Sequence, residues 1–165
     1  MNTKKISYLG LLIALAFVLS YVENLLPISI GIPGAKIGLA NLVVMVALYT
    51  IGSKNALMLS IVRVILVGFT FGNMAMMMYS MAGALLSFFV MYIAKRSKAF
   101  SITGVSVLGG VFHNVGQIIV AIFVLETQKL IYYLPVLIII GTITGLVIGI
   151  VAGLVCQRIK GYFGK

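Results

Sequence analysis

The chain has 165 residues, of which 62% are hydrophobic, and its mean hydropathy is +1.24. This composition exceeds what a soluble core requires, so it excludes an ordinary soluble globular protein. Twelve Lys and Arg residues stand against two acids, Glu23 and Glu126, and the net charge is +10. The basic residues fall mostly in short connections between apolar runs, which indicates membrane topology and contact with anionic lipid and argues against a nucleic-acid partner. The single cysteine, Cys156, excludes an intrachain disulfide.

The apolar runs predict an all-α membrane protein, a bundle of six transmembrane helices in one domain over residues 1–165. The predicted spans are 6–26, 37–51, 55–71, 74–94, 102–125 and 130–156. Because the second and third are short, we expect them to insert shallowly or to lie beside a water-filled cavity. Nine Lys and Arg residues fall on one side, against Lys36 and Lys129 on the other. This bias predicts that both termini are cytoplasmic.

The connection between the first two spans interrupts the apolar pattern. Residues 27–41 contain two of the three prolines, three glycines and Lys36. Proline cannot continue a helix, so we expect a structured extracytoplasmic loop, with residues 27–36 forming a lid. The following helix begins near Lys36, where its N-terminus is suited to a carboxylate or phosphate. Glu23 and Asn24, just before the loop, could instead receive an amine or a polar ring.

Arg63 is the basic residue that the pattern places inside a span. It lies nine residues after Lys54, which puts it about 13 Å into the membrane. An arginine near the midplane costs roughly 2.5–3.5 kcal/mol on insertion scales, so we expect it to face the bundle interior. Glu23 and Glu126 are its only acidic counter-ion candidates, and both lie near helix ends. An anionic ligand, or backbone carbonyls with water, is the expected partner.

Further polar residues lie at similar depth in three other spans. His113, Asn114 and Gln117 form one stripe on the fifth span, since Gln117 follows the other two by four and three residues. Tyr79 and Asn41 lie at comparable depth. The cluster favours a binding site, although interhelical hydrogen bonds that stabilise the bundle are the alternative. The predicted substrate-binding residues are Lys36, Asn41, Arg63, Tyr79, His113, Asn114 and Gln117.

Two further features concern chemistry and partners. The sequence has no aspartate-rich metal motif, phosphate-binding glycine loop, Cys/His metal spacing or Ser-His-Asp set, so we expect neither an enzyme nor a cofactor or metal site. On the first span, Gly10 and Ala14 are four residues apart and would allow another helix to approach closely. Either a partner protein or the chain's own helices could occupy this face.

Two motifs carry a family resemblance that covers nearly the whole chain: Pro33-Gly-Ala-Lys-Ile-Gly-Leu-Ala-Asn41 and Phe112-His-Asn-Val-Gly-Gln117. They resemble the bacterial Gx transporters, also labelled heptaprenyl diphosphate synthase component I. That family is similar to the S components of energy-coupling-factor (ECF) transporters. The resemblance implies a six-helix protein of the bacterial cytoplasmic membrane, a loop that closes over the ligand, and docking of the first helix on a transmembrane coupling subunit driven by cytoplasmic ATPases. The usual docking motif is Ala-x-x-x-Ala, whereas here Gly10 takes the first position.

The two family labels imply different functions. The first is a substrate-binding subunit for uptake of a small polar or anionic metabolite, of the vitamin or isoprenoid-precursor class, and we favour it because of the polar cluster beneath the predicted lid. The second is an accessory subunit of a prenyl diphosphate synthase. Prenyl transfer normally needs carboxylates that hold Mg²⁺, and this chain has no aspartate, so that subunit would not be the catalytic one. A structural or assembly protein without a ligand is the third reading.

Overall fold

The computed structural model describes residues 3–25 and 38–163. Within these ranges the chain forms six α-helices, one 3-10 helix and no strand. The α-helices are α1 (Thr3–Leu25), α2 (Leu39–Thr50), α3 (Ser53–Phe71), α4 (Met74–Ser97), α5 (Ile102–Leu125) and α6 (Leu134–Phe163), and the 3-10 helix Gln128–Tyr133 precedes α6. The five α-helices other than α2 are long and apolar enough to cross a membrane. The expected all-α fold is confirmed, and five of its helices could span a membrane.

Helix α2 differs from the predicted span over 37–51. Its 12 residues extend about 18 Å, which is too short for about 30 Å of hydrocarbon. It is nevertheless the most enclosed helix, because Ala40 and all of 43–48 are buried. A glycine with a positive φ lies on each side of α2, with φ of 80° at Gly38 and 93° at Gly52. These glycines permit the sharp turns that begin and end a short core helix.

Five of the α-helices form a closed ring that includes α2. Helices α2, α3, α4, α5 and α6 form a ring of neighbours in that order, with α6 returning to α2, and α1 packs on α2 and α3. Every α-helix contributes to one buried apolar cluster, through residues that include Leu12, Met45, Leu59, Met91, Val105 and Ile148. In a membrane such packing, together with interhelical hydrogen bonds, replaces the hydrophobic effect as the source of helix association.

Glycines bring α5 and α6 into backbone contact. A methyl group added at Gly145 would lie 2.7 Å from the Cα of Val107, and one at Gly149 would lie 2.6 Å from the Cα of Thr103. Both separations are shorter than any real side chain permits. The close approach fixes the rotation of α5, and therefore fixes where its polar residues point.

Lys95 holds the C-terminal end of α2. Its Nζ donates a hydrogen bond of 2.6 Å to the carbonyl of Leu48 and lies 4.8 Å from the ring centroid of Tyr49. A cation there complements the partial negative charge of a helix C-terminus. Although the charge pattern placed Lys95 in a connection between spans, it belongs to the last turn of α4.

Candidate functional site

The site begins at the N-terminal end of α2. Gly38 precedes the first helical residue in a left-handed conformation, and its N–H donates to Oε1 of Glu23 at the end of α1. The N–H of Asn41 returns to the Gly38 carbonyl at 2.8 Å. Glu23 therefore joins α1 to the start of α2, where the helix dipole favours a negative charge.

Arg63 approaches the same end of α2 from α3. Its Nη2 donates to Oδ1 of Asn41 at 3.1 Å, and the carboxylate of Glu23 lies within electrostatic range of the guanidinium. The Nε atom is buried and has no hydrogen-bond partner among residues 3–25 and 38–163. The sequence placed Asn41 and Arg63 in one candidate site without predicting a bond between them. The structure shows that bond, and one donor of the guanidinium is unshared within the described chain.

His113 lies near Arg63 but is held by α4. The two side chains are within electrostatic range, and the backbone of Gly83 lies close to the imidazole. A methyl group added at Gly83 would lie 2.6 Å from the His113 carbonyl oxygen and 2.8 Å from Cγ of Gln117. Nδ1 of His113 is buried, and none of the described residues hydrogen-bonds to it. His113 and Gln117 therefore both face α4 where Gly83 leaves room for them.

Asn114 faces the opposite neighbour. Its Nδ2 donates to the carbonyl of Leu137 on α6 at 2.7 Å. This hydrogen bond gives Asn114 a structural role between α5 and α6. The polar stripe predicted on α5 is consequently divided, with His113 and Gln117 on the α4 side and Asn114 on the α6 side.

The remaining predicted residues fall in three places. Tyr79 is half-buried on α4, one turn before Gly83. Lys36 and the predicted lid, residues 27–36, lie outside the described residues. Gly10 and Ala14 are exposed on α1, and a methyl group at Gly10 would meet nothing within 4 Å.

Glu23 is absent from the binding residues that the sequence predicts. Its predicted roles are a distant counter-ion for Arg63 or a receiver for an amine. The available signal was the scarcity of acids. The sequence has only two, and one of them, Glu23, lies near the end of the first predicted span. The contact with Gly38 depends on how α1 returns to α2, which the sequence pattern does not reveal.

Taken together, these residues form a small polar cluster with one cation, one anion and neutral polar groups. Arginine supplies up to five N–H donors in a planar fork, and a neutral imidazole supplies one donor and one acceptor. Among the described residues, no three His, Cys, Asp or Glu side chains form a group that could hold a metal ion. The arrangement is suited to binding an oxygen-bearing polar or anionic group.

Comparison with known proteins gives one match. A model of the family described as heptaprenyl diphosphate synthase component I matches residues 12–155. No curated protein and no solved structure matches the chain. The matched segment covers most of the sequence and includes all six α-helices in whole or in part. The chain therefore belongs to the heptaprenyl diphosphate synthase component I family.

Proposed function

We propose that this chain is a substrate-binding membrane subunit, similar to the S components of ECF transporters, which takes up a small polar or anionic metabolite with partner ATPases. The observation that carries the proposal is Arg63, because its Nε is buried within a membrane helix and unshared among the described residues. A donor without an acceptor at that depth is costly. A ligand oxygen between Arg63 and His113 would supply the partner.

The first test is ligand binding by purified protein in lipid nanodiscs, with a panel of vitamins and isoprenoid precursors. Replacing Arg63 by glutamine should weaken binding at least tenfold, because truncating a buried charged donor costs roughly 2–5 kcal/mol. Arg96→Gln is the matched control, since Arg96 is exposed and bonds Tyr92 of its own helix. Equal binding by Arg63→Gln and the wild-type protein would refute the site.

Asn114 offers a second comparison within the same experiment. Because its amide donates to Leu137 on α6, Asn114→Leu should lower thermal stability while leaving the affinity of the folded fraction nearly unchanged. A loss of affinity as large as that of Arg63→Gln would place Asn114 in the ligand site instead.

The transport role also requires a docking surface for an energising partner. Gly10 and Ala14 supply small side chains on an exposed face of α1, as expected for close approach of another membrane helix. Ala14→Trp should abolish uptake by cells that express the whole transporter and leave ligand binding by the purified subunit intact. Unchanged uptake would remove this face from the proposal.

The family description favours a second candidate, a non-catalytic membrane subunit of a heptaprenyl diphosphate synthase. This candidate predicts that the chain co-purifies with a soluble, aspartate-rich synthase and changes its activity when the two are mixed in membranes. Co-purification with a coupling subunit and ATPases, and without a synthase, would favour the transport role. Absence of both kinds of partner would favour the structural role.

A further inference from the structure

The contact between Glu23 and α2 suggests which kind of ligand the site takes. Glu23 lies in the last turn of α1, where the partial negative charge of the helix C-terminus disfavours an acid. Its Oε1 accepts a hydrogen bond from the N–H of Gly38, at the beginning of α2. The negative charge of Glu23 thus destabilises the C-terminal end of α1 and stabilises the N-terminal end of α2.

The same carboxylate is close enough to the arginine of the candidate site to interact with it electrostatically. Glu23 is within electrostatic range of Arg63, and Arg63 bonds Asn41, the third residue of α2. Two independent features therefore converge on one position: the N-terminal end of α2 and a guanidinium whose buried Nε has no partner in the described part of the chain. Both features attract an anion.

We infer that the site takes a carboxylate-bearing ligand and that the Glu23 carboxylate is its internal stand-in, displaced from the N-terminal end of α2 when the ligand binds. This inference rests on the proposed function, because it assumes that Arg63 lines a ligand site. It narrows the ligand from a polar or anionic metabolite to one with a carboxylate. It also assigns Glu23 a competitive role, so removing its charge should favour binding.

Chemical rescue tests whether a free carboxylate can occupy the position. Glu23→Ala is purified, and its melting temperature is measured in sodium acetate and in sodium chloride at equal ionic strength. Acetate should raise the melting temperature of Glu23→Ala by several degrees more than that of the wild-type protein. Glu126→Ala, which removes the other acid, should respond as the wild-type protein does. The double variant Glu23→Ala/Arg63→Gln should lose the response.

Three results would overturn the inference. Glu23→Ala could respond to acetate no more than the wild-type protein, or the response could persist in the double variant. Sodium phosphate at the same ionic strength could also match acetate, which would make the position a general anion site. Each of these melting temperatures is measured on the full-length chain with acetate, chloride or phosphate as the probe. The measurements therefore do not require the transported metabolite to be known.

A second variant covers the case in which Glu23→Ala does not fold. Glu23→Gln keeps the size of the side chain and an acceptor for the Gly38 N–H but removes the charge. Titration with acetate, followed by melting temperature, should give an apparent affinity about tenfold higher than for the wild-type protein, since a like charge is removed. Equal or weaker affinity would overturn the stand-in role and leave Glu23 as a structural cap of α2.

The outcomes separate this inference from the proposed function. If metabolite binding depends on Arg63 while neither Glu23 variant gains acetate binding, the stand-in role fails and the proposed function stands. If both Glu23 variants gain acetate binding but no metabolite binds or is taken up, the carboxylate position is supported and the proposed function fails.

Discussion

The two ends of α2 hold charged side chains in opposite ways. At the C-terminal end, Lys95 donates to Leu48 and lies over the ring of Tyr49. At the N-terminal end, Glu23 receives the Gly38 N–H and Arg63 bonds Asn41, but the Nε of Arg63 is unshared within residues 3–25 and 38–163. Both charges that touch the helix backbone complement its dipole. The difference lies in Arg63, which brings an additional charge to one end only.

If Arg63 binds a ligand as proposed above, stability and recognition depend on different ends of the helix. A charged group whose donors are used within the protein contributes to folding, whereas an unshared donor in a membrane helix is available to a ligand. Substitutions at the C-terminal end should therefore change stability without changing affinity. Those at the N-terminal end should change affinity, with or without a change in stability.

The largest effect is expected from Lys95→Met. The Leu48 carbonyl loses a charged donor and Tyr49 loses its cation, so the free energy of unfolding should fall by about 1.5–3 kcal/mol. Unfolding by titration with a denaturing detergent measures the change. Arg96→Met is the control, and because Arg96 is exposed it should shift stability by less than about 0.5 kcal/mol. A Lys95→Met protein as stable as the wild-type protein would show that the contact contributes nothing.

Glycine substitutions at the two ends should separate the two properties. Ala at Gly38 must adopt a φ near 80°, which costs roughly 1–2 kcal/mol, and its methyl group would lie 3.1 Å from Nδ2 of Asn41. Gly38→Ala should therefore weaken both stability and ligand binding. Gly52→Ala meets a greater backbone strain, because φ of 93° with ψ of 164° is essentially restricted to glycine. Its methyl group would contact nothing within 4 Å, so only stability should fall.

The binding assay used for Arg63→Gln measures the affinity of both glycine variants. If Gly52→Ala weakened ligand binding as much as Gly38→Ala, the two ends of α2 would not be functionally distinct. If Gly38→Ala lowered stability alone, Asn41 would have no part in holding Arg63 for a ligand.

Much of the fold could be predicted because membrane helices leave a strong apolar signal. The predicted spans 55–71 and 102–125 agree closely with α3 (Ser53–Phe71) and α5 (Ile102–Leu125). The prediction of helix boundaries was less accurate where an apolar run continues from one type of helix into another. The 3-10 helix Gln128–Tyr133 extends into the apolar run of the sixth predicted span, so hydropathy alone did not separate it from α6.

The site was predictable in its residue types and less so in its partners. The cost of burying Arg63 indicated that it has a partner, but the sequence did not identify Asn41 as that partner. The opposite orientations of His113 and Asn114 could not be predicted, because they depend on close contacts at Gly83 on one side of α5 and along α6 on the other. The role of Lys95 was missed because charge counting treats a basic residue near a helix end as a marker of topology.

The smallest effect is expected at Tyr49, and it tests how the C-terminal end of α2 holds Lys95. Tyr49→Leu removes the ring beneath the ammonium and should cost about 0.5–1 kcal/mol of stability. Tyr49→Phe keeps the ring and should be closer to the wild-type protein in the same detergent titration. Neither variant should alter ligand affinity, since the ring lies at the end of α2 opposite Arg63. If Phe were as damaging as Leu, the hydroxyl and not the ring would stabilise this end.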